Sequence, residues 1–404
     1  MKKTIITLLA LATLTACHHH DNPEKEIKAD RTVLVYISGE CSLYDFIDEE
    51  LAEMKAGSMT IGDNNLLVYV DRGMSQELPW LARIDKGTIT DSVSAYDMFK
   101  LTSDYYSSDP DMMERILRYA YDKYPAKNDD YGLVLWGHAS GWLINSDSIA
   151  YTSMARRKAY GIDNGRNTNN DSGRWLNIPT MAKLLSKVPH LKFIFADCCN
   201  FMCLECAYEL RNVTDYIIGS PAEIPGVGAP YETVVPAMFE KTTFYSSIIE
   251  KYYAQHADGY DVPLSAVKTS EMENFANATK VVLKTCASNI SGTYPDMSGL
   301  IHYYYDWSKR QEFYDANDFI LKYASAENYA AWKQAFDKAV VYKKMATKWM
   351  TNKGWDFYGD FTVTDSKYGG VSMFVPQYIL SSTVNEDIKK MAWYYAAGYS
   401  DIGW

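Results

Sequence analysis

Two residues of this 404-residue chain stand where an α/β sheet places its chemistry. His138 follows the apolar run Leu133-Val134-Leu135-Trp136 across Gly137, and Cys199 follows Leu191 to Ala196, LKFIFA, across Asp197 and Cys198. Both runs read as buried strands, and ligand sites in parallel sheets lie at strand carboxyl ends. A thiol becomes a nucleophile when a base or a positive field takes its proton, and imidazole titrates near neutrality. Three of the 7 histidines form the tract His18-His19-His20; of the other four, only His138 sits in a glycine-flanked strand-end turn. The pattern predicts that Cys199 opens a helix running to Leu210, whose dipole would lower the thiol pKa. If the two strands are neighbours, thiol and imidazole face each other across the sheet edge.

Two other chemistries compete. Cys199, Cys203 and Cys206 have the C-x3-C-x2-C spacing of enzymes that hold an iron–sulfur cluster. On a helix, however, these thiols would stack on one face instead of wrapping a cluster. A structural zinc meets the same problem and lacks a fourth ligand in sequence. Cys203 and Cys206 are better read as small core residues. Gly137-His138-Ala139-Ser140-Gly141 superficially suggests a serine nucleophile elbow, but that turn needs Ser in the middle, and Ala139 stands there.

The elements that must position these residues alternate between strand and helix. Strands are expected at Thr32 to Ser38, Asn65 to Val70, Leu133 to Trp136, Leu191 to Ala196 and Tyr216 to Gly219, with an edge hairpin at Leu81 to Thr90 around Lys86-Gly87. Asp109-Pro110-Asp111 opens a helix to about Tyr124. Helices are also expected at Leu43 to Met54, Ile178 to Val188, 270–288 and 326–350, and a late strand at Tyr368 to Val375. This order indicates an α/β domain with a mainly parallel sheet. Residues 141–175 form a long polar loop, a feature that is often functional in a compact domain.

The N-terminus reads as an export signal: Lys2 and Lys3, then the apolar stretch Thr4 to Ala16, which is too short to span a bilayer. Leu14-Thr15-Ala16-Cys17 resembles a bacterial lipobox, which implies lipid attachment at Cys17. The division expected is a signal peptide at 1–16, a tether at 17–30, a catalytic domain at 31–262 and a C-terminal α/β region at 263–404. A formal net charge of −11 argues against a nucleic-acid partner, because phosphate binding needs a basic face.

Trp136-Gly137-His138-Ala139-Ser140-Gly141-Trp142 resembles the W-x-H-G-x-G-W turn of the clostripain family of cysteine peptidases, relatives of caspases and gingipains. Asp197-Cys198-Cys199, followed by Glu205-Cys206-Ala207-Tyr208-Glu209-Leu210, resembles the family's D-A-C…E-V-A-Y-E-L. Ala222-Glu223-Ile224-Pro225-Gly226-Val227-Gly228 resembles its S-x-E-x-x-P-G-x-G loop. The distance to Glu205 makes Cys199, not Cys198, the match to the nucleophile.

The resemblance implies a caspase-like sandwich and peptide-bond hydrolysis by a Cys199–His138 dyad. The backbone amides of Cys199 and Ala139 would form the oxyanion hole, and Asp197 would bind Arg or Lys before the scissile bond. A second acid of the family's cation pocket corresponds to Val227, and Glu223 is the nearest substitute in sequence. Ala139 replaces a family glycine, so a left-handed conformation there would be strained. Arg156-Arg157-Lys158 in the polar loop suits self-cleavage of a zymogen. Protein or peptide substrate and, through Cys17, the membrane are the expected partners, and the oligomeric state is not indicated. No cofactor and no metal ligand are indicated; some family members need calcium, and the sequence carries no EF-hand pattern. The alternative is a non-catalytic binding protein on a degenerate peptidase fold.

Overall fold

The computed structural model describes residues 29–73, 77–144, 159–165, 173–255, 262–303, 313–350, 361–377 and 382–404. Cys17, the signal, the tether up to residue 28, and Arg156-Arg157-Lys158 lie outside the described residues.

Thirteen strands are described: β1 (Thr32–Ser38), β2 (Asn65–Asp71), β3 (Trp80–Asp85), β4 (Thr88–Ser94), β5 (Tyr131–Trp136), β6 (Tyr160–Asp163), β7 (Arg174–Leu176), β8 (Leu191–Asp197), β9 (Thr214–Gly219), β10 (Leu264–Lys268), β11 (Tyr314–Asp315), β12 (Val340–Lys344) and β13 (Ser372–Met373). Nine build one sheet in the order β12-β10-β9-β8-β5-β1-β2-β3-β4. Its five central strands, β9, β8, β5, β1 and β2, run parallel. The pairs at either flank are antiparallel.

Both faces of the sheet are covered, so the central strands are largely apolar. Val33, Val35 and Ile37 of β1 pack beneath the helices Ile47–Gly57, Tyr231–Met238 and Phe244–Gln255. Leu34 and Tyr36 point the other way, into a core shared with Pro110–Lys123, Ile178–Leu185 and Met272–Asn289. Helix Pro110–Lys123 starts as its sequence predicts, with Asp109 accepting from the amides of Asp111 and Met112. Lys86 and Gly87 both take positive φ, the geometry that joins β3 to β4 with strand-matched twist.

The chain beyond residue 262 adds β10 and β12 to the same sheet. Residues 340–344, expected to be helical, form β12 instead, because Val340 to Lys344 lie along β10 and complete its hydrogen bonding. Farther on, Ser372 donates its amide to Met202 O at 3.1 Å, and Phe374 donates its amide to Glu205 Oε1 at 2.7 Å. The last part of the chain thus buttresses the segment after Cys199. Among the described residues, no helix is long and apolar enough to cross a membrane.

Candidate active site

β5 and β8 are adjacent and parallel, with Trp136 opposite Asp197. His138 and Cys199 each lie two residues beyond that pair, so equal steps from one register position bring imidazole and thiol to the same edge. Both line a cavity of about 170 Å³, together with Trp136, Asp197, Glu223 and Gly228.

The His138 turn depends on Gly137, whose φ is +141°, and a Cβ there would stand 2.9 Å from Ser38 O. His138 Nε2 is hydrogen-bonded to Ser42 Oγ at 2.9 Å, and the His138 carbonyl accepts from Gly161 N at 2.8 Å. Ala139 does not carry the expected strain. The left-handed positions of this turn are Gly137 and Gly141, while Ala139 is buried and bridges to Tyr160. The alanine therefore fits the turn without a backbone penalty.

The expected helix at Cys199 begins later, at Leu204, with Cys203 preceding it. The reason is local. Asn200 has φ +55°, and the amides of Asn200 and Met202 donate to Ala222 O and Ser220 O at 2.8 and 2.9 Å. These bonds tie the segment to the neighbouring loop and preclude a helical turn. The thiol consequently has no helix N-terminus behind it; Ile224 N donates to Sγ at 3.5 Å. Cys199 is half-buried, whereas Cys198, Cys203 and Cys206 are fully buried with thiol pKa values pushed up by burial. Cys199, Cys203 and Cys206 do not converge at metal-ligand spacing.

Asp197 forms part of the cavity wall yet is itself buried. Its Oδ2 accepts from Ala229 N and Tyr231 OH, both at 2.9 Å, and its Oδ1 from Tyr252 OH at 3.1 Å. Burial pushes its pKa up to about 6, against the pull of those three hydrogen bonds. Glu223 is half-buried in the wall and bridges to Met350, while Val227 is exposed.

A further acid escaped the sequence reading. Glu50, on helix Ile47–Gly57, is buried and accepts from Trp136 Nε1 at 3.1 Å. Burial first, then the charge of Asp197, pushes its pKa well up. The two acids meet at Gly228: a Cβ there would lie 2.6 Å from Glu50 Oε1 and 2.9 Å from Asp197 Oδ2. The signal was available, because Glu50 occupies the core-facing stripe with Ile47, Leu51 and Met54.

A half-buried thiol, an imidazole and a carboxyl group lining one cavity are a set that can support acyl transfer. A model of the clostripain family matches residues 35–402. Among solved structures, a secreted C11 cysteine protease from Bacteroides thetaiotaomicron, in complex with an irreversible peptide inhibitor, is similar at 31% identity. That match covers 92% of this chain and all of the other, with a TM-score of 0.74. An inactive zymogen C11 protease from Parabacteroides distasonis is similar at 30% identity over 91% of this chain and 98% of its own, with a TM-score of 0.73. A search of curated proteins finds no match.

Proposed function

The chain belongs to the clostripain family and is a cysteine peptidase, and from that premise we propose that it is an exported endopeptidase working through Cys199 and His138. The observation that carries the assignment is the cavity shared by these two side chains at the ends of register-paired strands. His138 takes the proton of Cys199, and the thiolate attacks the scissile carbonyl. The imidazolium then protonates the departing amine, and water hydrolyses the thioester. The amides of Cys199 and Ala139 are assigned to the oxyanion.

The pocket acids support cleavage after Arg or Lys. Asp197 supplies the charge, and Glu50 is better placed than Glu223 as the second acid because it meets Asp197 at Gly228. Export rests on the Lys2-to-Ala16 signal and the lipobox at Cys17, and a relative of this chain is a secreted protease. Self-cleavage at Arg156-Arg157-Lys158 is the matching proposal for the 141–175 loop.

A peptide chloromethylketone with Arg before the warhead should label the wild type at Cys199. The Cys199→Ala protein should be unlabelled and should lose about 10⁵-fold or more in kcat. It should also stay intact on gels where the wild type is cut in the 141–175 loop. Labelling at any other cysteine refutes the dyad, and identical gel patterns refute self-processing alone.

A further inference from the structure

We propose that Ser42 is a positioning residue for His138: its hydroxyl oxygen accepts the Nε2 proton, so that Nδ1 is the nitrogen that takes the proton of Cys199. The proposal rests on the Cys199–His138 reading given above. Its observation is the hydrogen bond between Ser42 Oγ and His138 Nε2, at 2.9 Å.

The sheet order sets the three groups in sequence. β5 stands between β8 and β1, paired in parallel with both. His138 follows the middle strand, Cys199 follows β8 on one side, and Ser42 lies in the loop after β1 on the other. The imidazole is thus carried between the strand that supplies the thiol and the strand that supplies the hydroxyl.

The loop after β1 is held at several points, so the hydroxyl is placed before any substrate arrives. Gly39 N donates to Asp71 O at 2.8 Å, and Asn164 N donates to Glu40 O at 3.0 Å. Tyr44 N closes a turn over Ser42 by donating to Cys41 O at 3.2 Å. The Cys41 side chain is buried against Ala159, Ile162 and Trp175. Leu43, next in the chain, lines the cavity that holds His138 and Cys199. Ser42 itself is exposed, so loss of its hydroxyl opens no cavity in the core.

The chemistry follows from the two ring nitrogens. A neutral imidazole accepts a proton at one nitrogen only, and the hydrogen bond made by the other decides which. With Nε2–H donating to Ser42, Nδ1 is the acceptor for the thiol proton. The opposite tautomer, with the Ser42 hydroxyl donating to Nε2, carries its proton on Nδ1 and has no nitrogen open to the thiol. Once the proton has moved, Nε2–H still donates to Ser42, now as a charged donor and therefore more strongly. Ser42 thus favours the thiolate–imidazolium pair over the neutral pair. Gly161 N, bonded to the His138 carbonyl, fixes the backbone; Ser42 fixes the ring.

The test is the rate at which iodoacetamide alkylates Cys199 in the full-length protein near neutrality, read by mass spectrometry, because that rate follows the thiolate. Ser42→Ala should slow it about 5- to 10-fold. It should lower kcat on an Arg substrate by a similar factor, with KM little changed. Ser42→Thr keeps the hydroxyl and should restore most of both losses. Ser42→Asp sets a carboxylate against Nε2–H, favours the imidazolium, and should be alkylated at least as fast as the wild type. Unchanged alkylation and kcat in folded Ser42→Ala overturn the role, as does a rise in KM alone, which marks a substrate contact. Alkylation of Ser42→Asp as slow as that of Ser42→Ala overturns the tautomer. A wild type that is not alkylated at Cys199 overturns the dyad itself, and Ser42 with it.

Discussion

The two ends of the central strands treat charge in opposite ways. Where β1, β5, β8 and β9 begin, acids and bases are paired. Arg31 grips Asp130 through Nε at 2.6 Å and Nη2 at 3.1 Å, and Lys127 meets Asp30 at 2.9 Å. Asp215 is held by Lys192 at 2.9 Å and His190 at 3.0 Å. Where the strands finish, Glu40, Asp71, Asp163, Asp197 and Glu50 are all buried, and none forms an ion pair among the described residues. A fold gains nothing by burying charge alone. The starting end is closed electrostatically, whereas, on the proposed cleavage after Arg or Lys, Asp197 at the finishing end receives its positive charge from the substrate.

The contrast breaks first at Asp197. Asp197→Asn should lower kcat/KM for Arg and Lys substrates at least about 10-fold, because a charged hydrogen bond contributes about 1.5–3 kcal/mol. Cleavage profiling that returns an unchanged preference would show that this acid is structural. The pH profile is the next test. Burial raises Asp197 above its ordinary 3.8 to about 6, so the folded protein binds this proton where the unfolded chain has released it. Ionisation of Asp197 therefore weakens the fold as pH rises from about 4 to about 6, while cation binding needs the ionised form. KM for basic substrates should climb as pH falls through about 6, and that inflection should vanish in Asp197→Asn. Glu50→Gln should cost less, about 1 kcal/mol or roughly fivefold in kcat/KM for basic substrates. Equal losses for a neutral substrate would mark Glu50 as a packing residue. The smallest effect on cleavage is expected at the starting end. Asp130→Asn leaves Arg31 short of its counter-charge and should cost about 3 kcal/mol of stability by denaturant unfolding, with no change in preference.

Much of this was legible in the sequence. Thr32 to Ser38, Asn65 to Val70 and Leu191 to Ala196 are strands because a sheet covered on both faces favours largely apolar runs. The ends of two such runs located His138 and Cys199. The helix expected at Cys199 was misplaced because its competitor is a long-range one: the amides of Asn200 and Met202 are taken by residues 220–222, which no local pattern reveals. Glu50, Glu40 and Asp71 were passed over for a related reason. A single acid beside an apolar run reads as solvated until the fold brings in its neighbours, and those lie on other elements. Glu40 and Asp163 are 123 positions apart in sequence, yet belong to one cluster.

The bonds from Ser372 and Phe374 to the segment after Cys199 also bear on timing. Phe374 reaches back across 169 residues to Glu205. A nascent chain emerging from its amino end therefore presents Cys199 well before the support for its loop exists. The loop after Cys199 gains this support only once residue 374 has been made. On the proposed endopeptidase reading, that order delays a supported Cys199 loop until the chain is nearly complete.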